Sequence, residues 1–307
     1  MRILVVGAGA IGGYFGGRLM EKGEDVTFLV RAKRKQQLEE TGLIVESVNG
    51  NINLQVKTVD ARDDAGHFDV IFLSTKAYHL QGAIDNIRPF VGDETMIVPL
   101  LNGINHIEKL IEEFGSEKVL GGLCFIETTL NSNGKVIQTS PAHDLMFGER
   151  NGEVTERVRK LEKTLSGTKA NIRLSHTIIQ DMWHKYMFIT AVSGITTLMR
   201  APIGPIRDET GGQKTISNLL NEITKIMLKI KAPIAESIEA IQLEKMNGLG
   251  YSMKSSMQRD MEKKMPIEAD HLQGYLLKLA KEYEIQVPVL EVVYANLKIY
   301  ESQLGQE

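Results

Sequence analysis

The chain has 307 residues, is 42% hydrophobic and 24% charged, and carries a formal net charge of -3. That length can bury two cores, while the charge balance gives no general attraction to nucleic acid or an anionic membrane. A lone cysteine, Cys124, makes no internal disulfide. No leader pattern precedes the first strand-like run and no apolar run is long enough to span a bilayer, so a cytoplasmic protein is expected.

In chain order, Arg2–Val6 is expected as a buried strand, Gly7-Ala8-Gly9-Ala10-Ile11-Gly12 as a tight turn, and Ala10–Lys22 as a helix. Within the turn, Gly7 permits the sharp exit from the strand, Gly9 lets backbone approach a pyrophosphate, and Gly12 lets the helix pack closely on the strand. The helix start at Ala10 and Ile11 then offers N–H groups and a partial positive charge to phosphates. A G-x-G-x-x-G held between a strand and a helix is the context in which the motif points to a dinucleotide.

The next strand, 25–30, ends where an NAD site would place an acidic residue for the ribose 2′-hydroxyl. This chain has Arg31 there, followed by Lys33, Arg34 and Lys35. A guanidinium can grip a 2′-phosphate with charge-assisted hydrogen bonds, so the residue type favours NADP. Lys33 and Lys35 fit a solvated basic face better than Arg31 does.

Further strand-like runs at 52–59, 70–74, 96–100, 120–128, 136–139 and 144–147 alternate with helical ones in the first part of the chain, implying a parallel sheet covered on both faces. From about Val119 onward the strands look antiparallel and added to that sheet, with Asn131-Ser132-Asn133-Gly134 as a hairpin turn. From about Ser175 the pattern is helical at 180–198, 210–231, 234–247, 252–264, 267–283 and 288–304, separated by Pro202, Pro205, Pro233, Pro266 and Pro288. The expected fold is α/β, with an N-terminal Rossmann-type domain over 1–172 and an all-helical domain over 173–307.

Two loops follow middle strands, at the sheet edge where open parallel sheets bind ligands. They are Ser74-Thr75-Lys76-Ala77 and Leu101-Asn102-Gly103. Lys76 could meet the phosphates or ribose and Asn102 the nicotinamide or the substrate, although either residue alone is equally an ordinary loop polar. The 180–198 helix is largely apolar around Trp183, Met187, Phe188, Ile189 and Val192, yet Lys185 stands among them. Either its stem snorkels to solvent or its ammonium works in a cleft. The seven histidines show no metal-ligand spacing with acids or thiols.

Taken together, Gly7-x-Gly-x-x-Gly12, Arg31, Ser74-Thr75-Lys76-Ala77, Asn102-Gly103, Trp183-x-Lys185, Ala201-Pro202, Ser255-Ser256-Met257-x-x-Asp260 and Ile267-Glu268 resemble the ketopantoate reductase (2-dehydropantoate 2-reductase) family over nearly the whole chain. The resemblance implies NADPH-dependent reduction of 2-dehydropantoate to (R)-pantoate. It makes Lys185 the general acid, Glu268 its partner carboxylate, Asn102 a neighbour of nicotinamide and substrate, Ser256 a substrate-binding hydroxyl, and Arg31 and Lys76 the NADP contacts. Glu268 taken alone is also a carboxylate suited to a helix N-terminus after Pro266.

In better-known members of that family an asparagine follows the lysine four and eight residues later on the same helix face. Here those positions are Ile189 and Ser193. Ser193 can still bind substrate by hydrogen bonding, but Ile189 cannot, and such a loss relaxes discrimination more than chemistry. Two further readings stay open: a reductase of the same build acting on a different 2-oxo acid, and an NADP-binding sensor without catalysis. The helical domain, with its methionines between Met246 and Met265, could pair with a second copy, although methionines at helical spacing equally fill cores.

Overall fold

The computed structural model describes residues 1–304. The last three residues of the expected 173–307 domain lie outside the described residues. Contacts divide the chain into two compact units, one of Met1–Leu101 and His106–Ile178, the other of Asn102–Asn105 and the residues from Ile179 onward.

The first unit begins with β1 (Arg2–Val6), four of whose five residues are buried, as suits a central strand covered on both faces. It continues through α1 (Ala10–Lys22), β2 (Asp25–Leu29), α2 (Ala32–Thr41), β3 (Leu43–Ser47), β4 (Ile52–Leu54), β5 (Lys57–Val59), β6 (Val70–Leu73), α3 (Leu80–Ile87), β7 (Met96–Pro99), α4 (His106–Phe114), β8 (Gly121–Leu130), β9 (Val136–Gly148), α5 (Glu156–Leu165) and β10 (Asn171–Leu174). Five strands make the expected parallel sheet in the order β5-β2-β1-β6-β7, with Ile3 flanked by Val26 and Val70. Chain progression reverses at β1, so the crevice beyond the C-terminal ends of β1 and β6 is the place where such sheets bind ligands.

The antiparallel strands are not added to that sheet. They build a second one, ordered β10-β9-β3-β4 with β8 paired to β9, and it is mixed rather than antiparallel throughout, since β9 runs antiparallel to β8 but parallel to β3 and β10. The 52–59 run is split between the sheets: β4 pairs antiparallel with β3, and β5 pairs parallel with β2. The runs 136–139 and 144–147 are one long strand, β9, whose first half pairs with β3 and second half with β10. Helix α1 lies between the sheets because its glycines admit both: a Cβ on Gly13 would come within 2.8 Å of Val136, and one on Gly16 within 2.6 Å of the Phe28 ring. No single-strand pattern reveals which sheet a strand joins, since both sheets bury apolar residues against the same helix.

The second unit is helical, as expected: α6 (Ile178–Met199, whose first residue still belongs to the first unit), α7 (Ile203–Asp208), α8 (Thr210–Lys229), α9 (Ile238–Asn247), α10 (Ser256–Glu262), α11 (Tyr275–Glu282) and α12 (Pro288–Leu304). Residues 190–197 of α6 are buried on every face, the mark of a central helix. Two helices start later than expected, at Ile238 and Ser256, and Pro205 sits inside α7 rather than between helices. The 267–283 run is not one regular helix: Asp270–Gly274 is a π turn leading into α11. The start of α12 is capped from a distance, because Glu222 of α8 is buried and accepts the N–H groups of Val289 (3.0 Å) and Leu290 (2.9 Å). No described helix is long and apolar enough to cross a membrane.

Candidate active site

At the end of β1 the chain turns at Gly7, whose φ of +90° suits only glycine and whose N–H donates to the Leu29 carbonyl at 2.9 Å. A Cβ on Gly9 would meet nothing within 4 Å, so backbone there can be approached closely. Gly12 is the opposite case, since a Cβ would fall 2.1 Å from the Gly7 oxygen and 2.4 Å from Ser74 Oγ. The Ser74 hydroxyl donates to the Val6 carbonyl at 2.9 Å, tying the end of β6 to the end of β1. With Ala10, Ile11 and Gly12 opening α1, this cradle fits the pyrophosphate of a dinucleotide.

Arg31 is exposed immediately before α2. Burial, together with the positive charge of Arg31, holds the His79 imidazole below its ordinary range, which places Arg31 close to the 3₁₀ turn Ala77–His79. Lys76 precedes that turn directly. Arg31 and Lys76 therefore stand on one rim of the sheet. Of the basic run after Arg31, Lys35 pairs with Asp63 at 3.1 Å, whereas Arg34 turns inward and donates from Nε to the Ala8 carbonyl at 3.1 Å.

In the helical unit, Lys185 on α6 is 5% exposed and Glu268 is 8% exposed. Four hydrogen bonds fasten the 255–273 segment, which carries Glu268, across α6. The Tyr186 hydroxyl donates to the Leu272 carbonyl at 2.6 Å. Gln273 Nε2 donates to the Thr190 carbonyl at 3.0 Å and to Ser193 Oγ at 3.1 Å. Thr196 and Ser255 share a hydroxyl hydrogen bond of 2.8 Å. The residue after Lys185 and residues on both sides of Glu268 are thus held on one helix. Burial also pushes the Tyr186 phenol well above its ordinary range, so it serves as a neutral donor.

Asn102 joins this unit through its backbone, whose carbonyl accepts from His271 Nε2 at 2.6 Å; a carbonyl can only accept, so this nitrogen carries the proton. Gly103 beside it has φ +89°, and a Cβ there would fall 2.6 Å from the same ring nitrogen. Ser193 is buried with its oxygen engaged by Gln273, and Ser256 is exposed on the first turn of α10, while its neighbour Ser255 caps that helix by accepting from the Gln258 N–H at 3.1 Å. Sequence reasoning did not single out Gln273, His271 or Arg34. Apart from the Arg34–Gln37 contact within α2, their partners lie 26 to 169 residues away, and a π turn, frequent at functional sites, leaves no pattern in the sequence.

Comparison with known proteins agrees with this geometry. Residues 3–152 match the family described as "Ketopantoate reductase PanE/ApbA" and residues 177–301 match its C-terminal domain. The chain is 48% identical over 303 residues to "Uncharacterized oxidoreductase YkpB" of Bacillus subtilis (strain 168), covering 99% of this chain and 100% of that one. It is 24% identical over 307 residues to the 2-dehydropantoate 2-reductase of Aquifex aeolicus (strain VF5), covering 98% and 97%. It also resembles the solved 2-dehydropantoate 2-reductase of Geobacter metallireducens GS-15, with a TM-score of 0.88, 27% identity and coverage of 97% and 99%. Fold and cradle together define an oxidoreductase that uses a nicotinamide dinucleotide. The chain belongs to the ketopantoate reductase PanE/ApbA family.

Proposed function

We propose that this protein is a cytoplasmic NADPH-dependent 2-oxo acid reductase that converts 2-dehydropantoate to (R)-pantoate. The observation that carries the reading is Lys185, buried on α6 in the unit where the Glu268 segment is bound across that helix. An ionisable side chain so deeply buried needs a purpose or a partner. The preference for the phosphorylated cofactor is supported by Arg31 and Lys76 on one rim, with no carboxylate at the end of β2.

Bound reduced nicotinamide supplies the hydride to the 2-oxo carbon. As negative charge grows on the substrate oxygen, the Lys185 ammonium stabilises it and gives up its proton there. Glu268 keeps Lys185 charged and accepts from the substrate's distal hydroxyl. Asn102 orients the reacting groups, and Ser256 and Ser193 hold the polar end of the acid. Ser193 Oγ accepts from Gln273 and points its one hydrogen at the Thr190 carbonyl at 3.4 Å, so it would serve the carboxylate or ketone as a donor by turning that hydrogen from the long helix contact to the substrate. The helical unit binds the substrate and offers the surface for pairing with a second copy.

A second reading is favoured by Ile189, which stands half-buried one turn beyond Lys185: an apolar side chain there suits a 2-oxo acid without the distal hydroxyl. Both readings are tested by NADPH oxidation with 2-dehydropantoate beside 2-oxoisovalerate, for wild type and Lys185→Ala. Preference for 2-dehydropantoate, with turnover falling about 10²–10⁴-fold in the variant, is expected. Equal or better turnover of 2-oxoisovalerate moves the second reading forward. NADPH binding without lysine-dependent turnover of either acid would leave a sensor.

A further inference from the structure

Arg34 occupies an unusual place among the basic residues after β2. Its Nε–H donates to the Ala8 carbonyl at 3.1 Å, and its NH1 donates to Gln37 Oε1 at 2.6 Å and to the Gly134 carbonyl at 2.8 Å. Its NH2 is buried with no hydrogen-bond partner among the described residues, and burial draws the guanidinium below its ordinary range. The hairpin side of this clamp is held by its own hydrogen bonds. Gly134 has φ +75° and closes the turn by donating to the Asn131 carbonyl at 3.0 Å, while Gln37 Nε2 holds the Asn133 carbonyl at 2.8 Å.

Ala8 is the residue between Gly7 and Gly9. Its carbonyl and the Gly9 N–H belong to one planar trans peptide and point in opposite directions. A donor that fixes the Ala8 carbonyl therefore fixes where the Gly9 N–H aims. Around Gly9 the space is open, and the glycine on that side of the peptide, with no Cβ to restrict its φ, leaves the peptide's tilt to be set by a partner for the Ala8 carbonyl.

We propose that Arg34 is a positioning residue for the cofactor, locking the Ala8–Gly9 peptide so that the Gly9 N–H is presented to the pyrophosphate, and anchoring that lock on the β8–β9 hairpin. Arg31 and Arg34, three residues apart, then have separate tasks. Arg31 reads the 2′-phosphate, which only NADPH carries, while Arg34 serves the pyrophosphate, which NADPH and NADH share. The inference rests on the reading of the first unit as a nicotinamide dinucleotide site.

The test is equilibrium binding of NADPH and of NADH, followed by nucleotide fluorescence, to wild type, Arg31→Gln, Arg34→Gln and Arg34→Lys, with unfolding temperature recorded for each. Arg34→Gln should weaken both cofactors by about tenfold, the cost of one charged hydrogen bond, and Arg31→Gln should weaken NADPH alone. Arg34→Lys keeps the charge but not the fork and should fall between wild type and Arg34→Gln for both cofactors. Gly134→Ala, which strains the hairpin acceptor, should weaken cofactor binding in wild type but add little to Arg34→Gln. Unchanged affinity with a lowered unfolding temperature would make Arg34 a brace only and overturn the proposal, as would a loss confined to NADPH. If Arg34→Gln does not fold, the lysine variant decides by the same criteria. Failure of the wild type to bind either nucleotide would instead remove the cofactor reading itself.

Discussion

At the scale of single residues, the cofactor cradle depends on atoms that are missing. Gly12 has a backbone oxygen and a hydroxyl where a methyl group would lie, at 2.1 and 2.4 Å, and neither can withdraw without breaking the turn or the Ser74–Val6 bond. Gly12→Ala should therefore destabilise the protein by about 1–3 kcal/mol and abolish tight nucleotide binding, measured by chemical unfolding and by fluorescence titration. An alanine variant that binds with wild-type affinity would show that the cradle yields. The demand for glycine here was legible in the sequence because the motif is local. The inward turn of Arg34 was not, because a basic side chain at a helix start looks the same whether it meets water or a carbonyl contributed by residue 134.

At the scale of elements, helices in the second unit are closed by groups from elsewhere in the chain. Glu222 is the plainest example: α8 supplies both carboxylate oxygens to the first turn of α12, whose N–H groups have no partners within their own helix. Glu222→Ala should cost about 1–3 kcal/mol by leaving those buried donors unsatisfied, read as a lowered unfolding midpoint, whereas an unchanged midpoint would mean water replaces the carboxylate. The helical positions themselves could be read from proline punctuation and apolar spacing. The π turn at Asp270–Gly274 could not, although it accompanies the Gln273 bonds to Thr190 and Ser193. Strand identity showed the same division, since apolar alternation marks a strand without naming its partner, and 52–59 looked continuous while its halves serve different sheets.

At the scale of the whole molecule, pH acts through groups spread over both units. Burial holds His184 below its ordinary range, aided by the charge of Lys245, and its Nε2 accepts the Ala235 N–H at 3.0 Å, a bond that only the neutral ring can make. Burial and Arg18 act alike on His143. With folded values lowered, the unfolded chain takes up protons first, so this stability is complete above about pH 6.5 and is lost as pH falls below it. Burial opposes the charged forms of Glu21, Glu149 and Asp270, yet their basic and hydroxyl partners outweigh it and hold all three below the ordinary carboxylate range. Their contribution disappears in a second stage, below about pH 4. Unfolding temperature should thus decline from near pH 7 to 5 and more steeply below 4; a level profile between about pH 7 and 5 would eliminate the histidine stage. The sequence by itself determined the class of fold, the glycine turn, the basic residue after β2 and the lysine set within an apolar helix, because these rest on spacing within one or two neighbouring elements. Tertiary structure alone decided which sheet each strand joins, which basic residue braces the turn, and which groups hold the Glu268 segment on α6, because those bonds join residues far apart in the chain that only packing brings within reach.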